Sequence, residues 1–174
     1  MMTAMRPRPL LAVPALLAAG ILVPGSAHAA PSPDLWATVN ICDTATNPNT
    51  IGIRASIPGT GKNHRMYMRF EAQFFDRTKN RFVPSGSSSK WSYVGSARFR
   101  SVQFGFSFAF APPPAGEQFV FRGKVDFRWR KWVRRNGRKR LVTVMRRSRI
   151  TRAGFTGVEG GDPPGRSEAL CVIR

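Results

Sequence analysis

Acidic residues, histidine and cysteine are all scarce in this 174-residue chain: nine Asp and Glu stand against 28 Lys and Arg, with two histidines and two cysteines. His28 falls in an N-terminal leader, so His64 alone remains in the body of the chain, within a polar stretch at 59–64. No second His, no free Cys and no cluster of carboxylates stands at metal-ligand spacing from it. No Gly-x-Ser-x-Gly motif accompanies the serines. Gly59-Thr60-Gly61-Lys62 lacks the first glycine of a phosphate loop, and Asn63 stands where a Ser or Thr would hold magnesium, so it reads as a turn. Glu159 and Asp162 share a Gly-rich segment, but two carboxylates without the repeat spacing do not make a calcium loop. The expectation is a protein with no catalytic residues, no cofactor and no metal. Only acids or a Ser-His-Asp set brought together by the fold would change that reading.

Long apolar runs are missing too. The longest, residues 10–23, has fourteen residues, is broken by Pro14, and is shorter than the roughly twenty a membrane-spanning helix needs. Arg6 and Arg8 precede it, and small residues ending in Ala27-His28-Ala29 follow it. That order of basic, apolar and small residues is a secretory signal, with cleavage expected after Ala29. The expected organisation is a cleaved signal peptide at 1–29 and one domain at 30–174, secreted or extracytoplasmic, with no transmembrane segment after cleavage. Losing Arg6 and Arg8 takes the net charge from +19 to +17.

Cys42 and Cys171 lie near the two ends of that domain. An even pair outside the cytosol reads as a disulfide. Closing so long a loop stabilises by about 4 to 5 kcal/mol in the chain-entropy account. The bridge would bring the first and last strands side by side. Arginine supplies 22 of the 28 basic residues. Its planar fork suits phosphate, although a GC-rich genome raises Arg, Ala, Gly and Pro together and explains the ratio itself.

Helical periodicity is absent from the body of the chain, and the apolar pattern has period two. Leu35, Ala37, Val39 and Ile41 fall on one face of a strand, and Ile51, Ile53, Ala55 and Ile57 on one face of the next. Met66, Met68, Phe70, Ala72 and Phe74 alternate with Tyr67, Arg69, Glu71, Gln73 and Phe75; Val102, Phe104, Phe106, Phe108 and Phe110 alternate with small and polar residues. Further strands are expected at 91–94, 119–133, 141–150 and 169–173. Asn47-Pro48, Pro58-Gly59, Pro84-Ser85-Gly86, Pro112-Pro113-Pro114 and Asn136-Gly137 read as turns, and 154–165 as a long loop. Many short strands with turns between them predict an all-β, antiparallel sandwich of about seven to nine strands. The plan resembles the immunoglobulin-like and fibronectin-type sandwiches, with the disulfide joining terminal strands rather than two inner ones.

Asn136-Gly137 suits a tight type I′ turn. A two-residue loop pairs Arg135 with Arg138, Trp132 with Leu141 and Trp129 with Val144. Phe127, Trp129, Val133, Val142 and Val144 would share the core face. The other face would carry Arg122, Lys124, Arg128, Arg130, Trp132 and Arg134, opposite Lys139, Leu141, Thr143, Met145 and Arg147. Arg146 then falls on the apolar face, which calls for a bulge or a register slip. Fourteen basic residues and one acid, Asp126, lie between positions 122 and 152. So many like charges on one ribbon repel unless a partner neutralises them. The candidate anion-binding set is therefore Arg122, Lys124, Arg128, Arg130, Trp132, Arg134, Lys139 and Arg147. Its partner would be a polyanion such as a wall or envelope polymer or anionic lipid. Two plainer readings stand beside it: a solvated face, and charged edge strands that resist aggregation. The alternative function is a structural or adhesive surface module that meets another protein through the Phe-rich strand and binds no polyanion.

Overall fold

The structure, a computed structural model, describes residues 34–98 and 100–174. The leader with its cleavage point, and Phe99, lie outside the described residues. Among the described residues nine strands form and no helix: β1 (Trp36–Cys42), β2 (Thr50–Pro58), β3 (Arg65–Asp76), β4 (Arg81–Ser88), β5 (Ser92–Ser96), β6 (Ser101–Ala109), β7 (Phe119–Arg135), β8 (Arg138–Ile150) and β9 (Cys171–Ile173). They pair antiparallel into two sheets. One has the order β1-β2-β6. The other follows β4-β3-β7-β8, with β5 also on β3 and β9 also on β7. The chain changes sheet after β2, after β5 and after β6, as in the immunoglobulin-like sandwiches.

The alternation in the sequence becomes the core. Val39, Ile51, Ile53, Ile57, Met66, Met68, Phe70, Val125, Phe127 and Trp129 are all buried between the sheets. The Trp129 indole N–H, which would be costly to bury unpaired, donates to the Pro58 carbonyl at 3.0 Å. Cys42 and Cys171 form the disulfide. The terminal strands are brought together as expected, but β1 and β9 belong to different sheets, so the bridge ties the sheets together across the core. A bulge between Val39 and Ile41 makes this possible. It turns Ile41 out of the core line and Cys42 into it.

Two expectations are overturned. Pro84-Ser85-Gly86 is not a turn but part of β4. β4 is an edge strand, where a proline removes no ladder hydrogen bond, and its pairing with β3 shifts register between Glu71 and Gln73. Val133, Val142 and Val144 are not core residues. β3 begins at Arg65, opposite Arg130, so β7 and β8 run on past it as a two-stranded ribbon that overhangs the sandwich. Within that ribbon the pairing follows the turn, with Asn136 and Gly137 both at positive φ (51° and 73°). A bulge then follows at Val144, which is 41% exposed, and Met145 rather than Val144 meets Trp129 and packs on the core.

β7 is shared along one side by two strands. β8 ends at Ile150 opposite Lys124, and β9 begins with Cys171 opposite Phe121. Between them Thr151 completes the ladder. Its N–H donates to the Gly123 carbonyl at 2.9 Å, its Oγ1 accepts from the Gly123 N–H at 3.0 Å, and the same hydroxyl donates to Ala169. The segment between these strands, expected as a loop, lies over the outer face of the three-stranded sheet. Phe155 stacks on Trp36 with ring centroids 5.0 Å apart, Ser167 bonds Thr38, the Gly160 carbonyl accepts from Asn40 at 2.7 Å, and Glu159 pairs with Arg54 at 2.7 Å. This cover is why Thr38 and Asn40 are buried although they point away from the core.

Position 123 has no room for a side chain. A Cβ there would lie 2.7 Å from Ile53 Cδ1 and 2.7 Å from Thr151 Cγ2. Gly123→Ala is therefore expected to destabilise the protein by about 1 to 3 kcal/mol, seen as a lower urea midpoint at unchanged slope. The covering segment is pinned by Asp162, whose carboxylate accepts from Thr44, Thr46 and Asn47; these bonds hold its pKa below the usual aspartate value. A lowered folded-state pKa contributes stability that is present above the unfolded value and lost as pH falls through the folded one. Stability should thus decline as pH drops below about 4. Asp162→Asn should flatten that part of the pH profile of the melting temperature.

Candidate functional site

Among the described residues, one sheet of the sandwich is covered and the other is bare. The outer face of the six-stranded sheet is set by register. On it Arg65 lies opposite Arg130, Tyr67 opposite Arg128, Arg69 opposite Asp126, Glu71 opposite Lys124 and Gln73 opposite Arg122. Across the other side of β7, Arg128 faces Arg146, Trp132 faces Leu141 and Arg134 faces Lys139. Nine cations (Arg65, Arg69, Arg122, Lys124, Arg128, Arg130, Arg134, Lys139 and Arg146) thus share a face with two acids. Both acids are already paired, Asp126 with Arg69 at 2.7 Å and Glu71 with Lys124 at 3.8 Å.

Aromatic rings, rather than acids, hold several of these guanidinium groups in place. Arg65 lies 3.9 Å from the Tyr93 ring centroid, Arg128 3.8 Å from Trp91, Arg122 4.3 Å from Phe82 and Arg130 5.5 Å from Tyr67. A guanidinium stacked on a ring keeps its charge and its in-plane N–H donors, which is the form that grips an oxyanion with two bonds. Arg65 also donates to the Tyr67 hydroxyl at 3.2 Å, which raises its pKa. Arg122 bonds Gln73 at 2.9 Å, and burial lowers its pKa. Arg130 donates to the Leu141 carbonyl at 2.8 Å.

Arg128 is the point of greatest like-charge crowding. Partial burial, then the fields of Arg146, Arg69 and Arg130, pull its pKa below the ordinary arginine value, with Asp126 opposing. Among the described residues neither its guanidinium nor that of Arg146 has a hydrogen-bond partner. Beside them is an open cleft of about 150 Å³ lined by Trp91, Asp126, Phe127, Arg128, Arg146 and Arg147.

Of the residues expected from sequence, Arg122, Lys124, Arg128, Arg130, Trp132, Arg134 and Lys139 do share the outer face. Arg147 is a correction: the bulge at Val144 places it opposite Phe127, on the strand's other side, and puts Arg146 on the face instead. Arg147 reaches the cleft only at its rim, with its guanidinium donating to the Arg146 carbonyl at 2.9 Å. Trp132 stands on the overhanging ribbon and is 58% exposed. Arg65, Arg69, Tyr67, Phe82, Trp91 and Tyr93 were missed. The parity of Tyr67 and Arg69 against Met66 and Met68 marked them as outward-facing, but nothing local said that β3 would lie beside β7.

The other candidates do not converge. Glu159 and Asp162 are committed to Arg54 and to the Thr44–Asn47 turn respectively. His64 meets Thr60 at 3.3 Å in the loop between β2 and β3, where the chain bends at 61–63. No protein-family model matches the chain, and no curated protein matches it in sequence.

Arg128 and Arg146 are like charges directly opposed across β7 and β8, an arrangement that costs stability in the free protein. Arg146→Gln is expected to stabilise the unliganded protein by up to ~1 kcal/mol at low salt, with the gain fading as salt screens the pair. Thermal melts at two ionic strengths read this directly.

Proposed function

We propose that this protein is a secreted, non-enzymatic β-sandwich module that binds an anionic envelope or extracellular polymer. The contact surface is the bare face of the six-stranded sheet and its overhanging ribbon. The observation that carries this reading is the nine-to-two imbalance of cations over acids on one face, with guanidinium groups stacked on Tyr, Trp and Phe rings. A surface whose charges were only solvated would have no use for rings that fix their geometry. The disulfide fits an oxidising compartment outside the cytosol, where the available polyanions are wall or envelope polymers and anionic lipid headgroups. Repeated phosphates along a polymer would meet successive cations from Arg122 to Lys139, while Trp132 supplies an apolar contact at the far end. No cofactor and no catalytic group enters this reading.

The alternative, adhesion to another protein through the Phe-rich strand, draws less support from that strand's outer side. There the Gln103 side chain is taken up by Gly157 and Glu159 of the covering segment, and Gly105, Ser107 and Ala109 add only small residues beside it.

Binding to heparin, long-chain polyphosphate, anionic vesicles and DNA should weaken steeply with salt, log K falling linearly with log salt concentration. Replacing Arg128, Arg130, Arg134 and Lys139 by Gln should lower affinity for every polyanion and reduce the salt slope by roughly one for each phosphate left without its cation. Trp132→Ala should weaken binding without changing that slope. A protein that binds none of the four at low salt, or a quadruple variant that binds as the wild type does, would sink the proposal.

A further inference from the structure

Among the described residues β6 is bonded on one side only, to β2. The Phe110 N–H donates to Asn49 and the Gly59 N–H to Arg100, which fixes the phase of this pairing. Bonded and non-bonded pairs alternate in an antiparallel ladder. Val102, Phe104, Phe106 and Phe108 therefore turn their backbone groups toward β2. Ser101, Gln103, Gly105, Ser107 and Ala109 turn theirs away, and none of these outward amides and carbonyls bonds another backbone group among the described residues.

Other edges of the two sheets are protected against strand addition. β1 is bridged by Asp162 and Glu168, β4 carries Pro84 and a register shift, and β8 carries Arg146, Arg147 and Arg149. β6 has no charge, no proline and no register shift over its nine residues. Phe106, at the mouth of the sandwich, is 40% exposed.

We propose that β6 is a self-association edge, on which a second copy of this chain pairs its own β6 antiparallel about a two-fold axis at Gly105. The axis sets Gly105 against Gly105, Gln103 against Ser107 and Ser101 against Ala109, all small or uncharged. It also brings Phe106 of each copy beside Phe104 of the other. The orientation follows from charge. Arg98 and Arg100 flank only the N-terminal end of β6. Antiparallel pairing sends the two sets to opposite ends, roughly 30 Å apart at about 3.3 Å per residue and well beyond the ~8 Å screening length of physiological salt. Parallel pairing would place them side by side. A contact of the same strand with itself closes at the dimer and leaves both bare basic faces free. The net positive charge of each copy opposes the contact at long range, so the dimer tightens with salt, opposite to polyanion binding. The two proposals can therefore fail separately.

The test combines light scattering of the purified protein over concentration and salt with residue-resolved amide exchange. The expected result is a monomer–dimer equilibrium favoured by salt, in which amides 101, 103, 105, 107 and 109 slow with rising protein concentration. Among the described residues the Ser107 N–H has no partner, so Ser107→Pro removes no bond seen there; Ser107→Lys adds charge to the edge. Each should weaken dimerisation at least about tenfold, with melting near that of the wild type. If Ser107→Pro does not fold, the lysine variant and the exchange pattern decide. A monomer at millimolar concentration in high salt overturns the proposal, as does a dimer that survives Ser107→Lys while the odd-numbered amides exchange freely.

Discussion

The missing side chain at position 123 is the constraint around which the rest of the molecule is arranged. Because Gly123 has no Cβ, Ile53 of the smaller sheet and Thr151 can both come against the backbone of β7. Thr151 then replaces a strand residue in the ladder, so β8 can leave β7 and β9 can rejoin it without leaving a buried amide unpaired. The excursion between them covers the smaller sheet, and its return carries Cys171 to Cys42. One face of the sandwich is covered because the chain has a place to depart and return. The other face is bare among the described residues, which make no such excursion over it.

That bare face is electrostatically unbalanced. Its two acids are spent on Arg69 and Lys124, and four of the remaining cations, Arg65, Arg122, Arg128 and Arg130, are held by stacking. Stacking fixes position without neutralising charge, so the repulsion around Arg128 persists in the free protein. Such a surface sacrifices some folding stability to keep its donors available.

Much of this was legible in the sequence, and what was not has identifiable causes. The period-two pattern gave the core strands because burial on one side of a sheet enforces alternation; the Asn136-Gly137 turn was legible because few residue pairs accept positive φ twice. The disulfide followed from compartment and count. β4 was hidden because Pro84 and Gly86 signal a turn unless the strand is known to be an edge. The bulge at Ile41 was hidden because one extra residue leaves no local mark, whereas the one at Val144 was announced by Arg146, which an unbroken register would have put on the apolar face. The aromatic half of the candidate site was hidden for a deeper reason. Which strand lies beside β7 is a long-range outcome of the fold, and Tyr67, Trp91 and Tyr93 become partners of the arginines only once β3 is there.

The length of β7 has a consequence of its own. The disulfide sits against Phe121 at one end, in the company of Asp43 and Asp162, while Arg134 and Arg135 stand at the other. Those ends are roughly 45 Å apart at about 3.3 Å per residue. Acidic and basic side chains are thus separated along the longest strand. Near a negatively charged boundary the molecule would experience a torque as well as an attraction, and would arrive with the ribbon leading and the staple trailing.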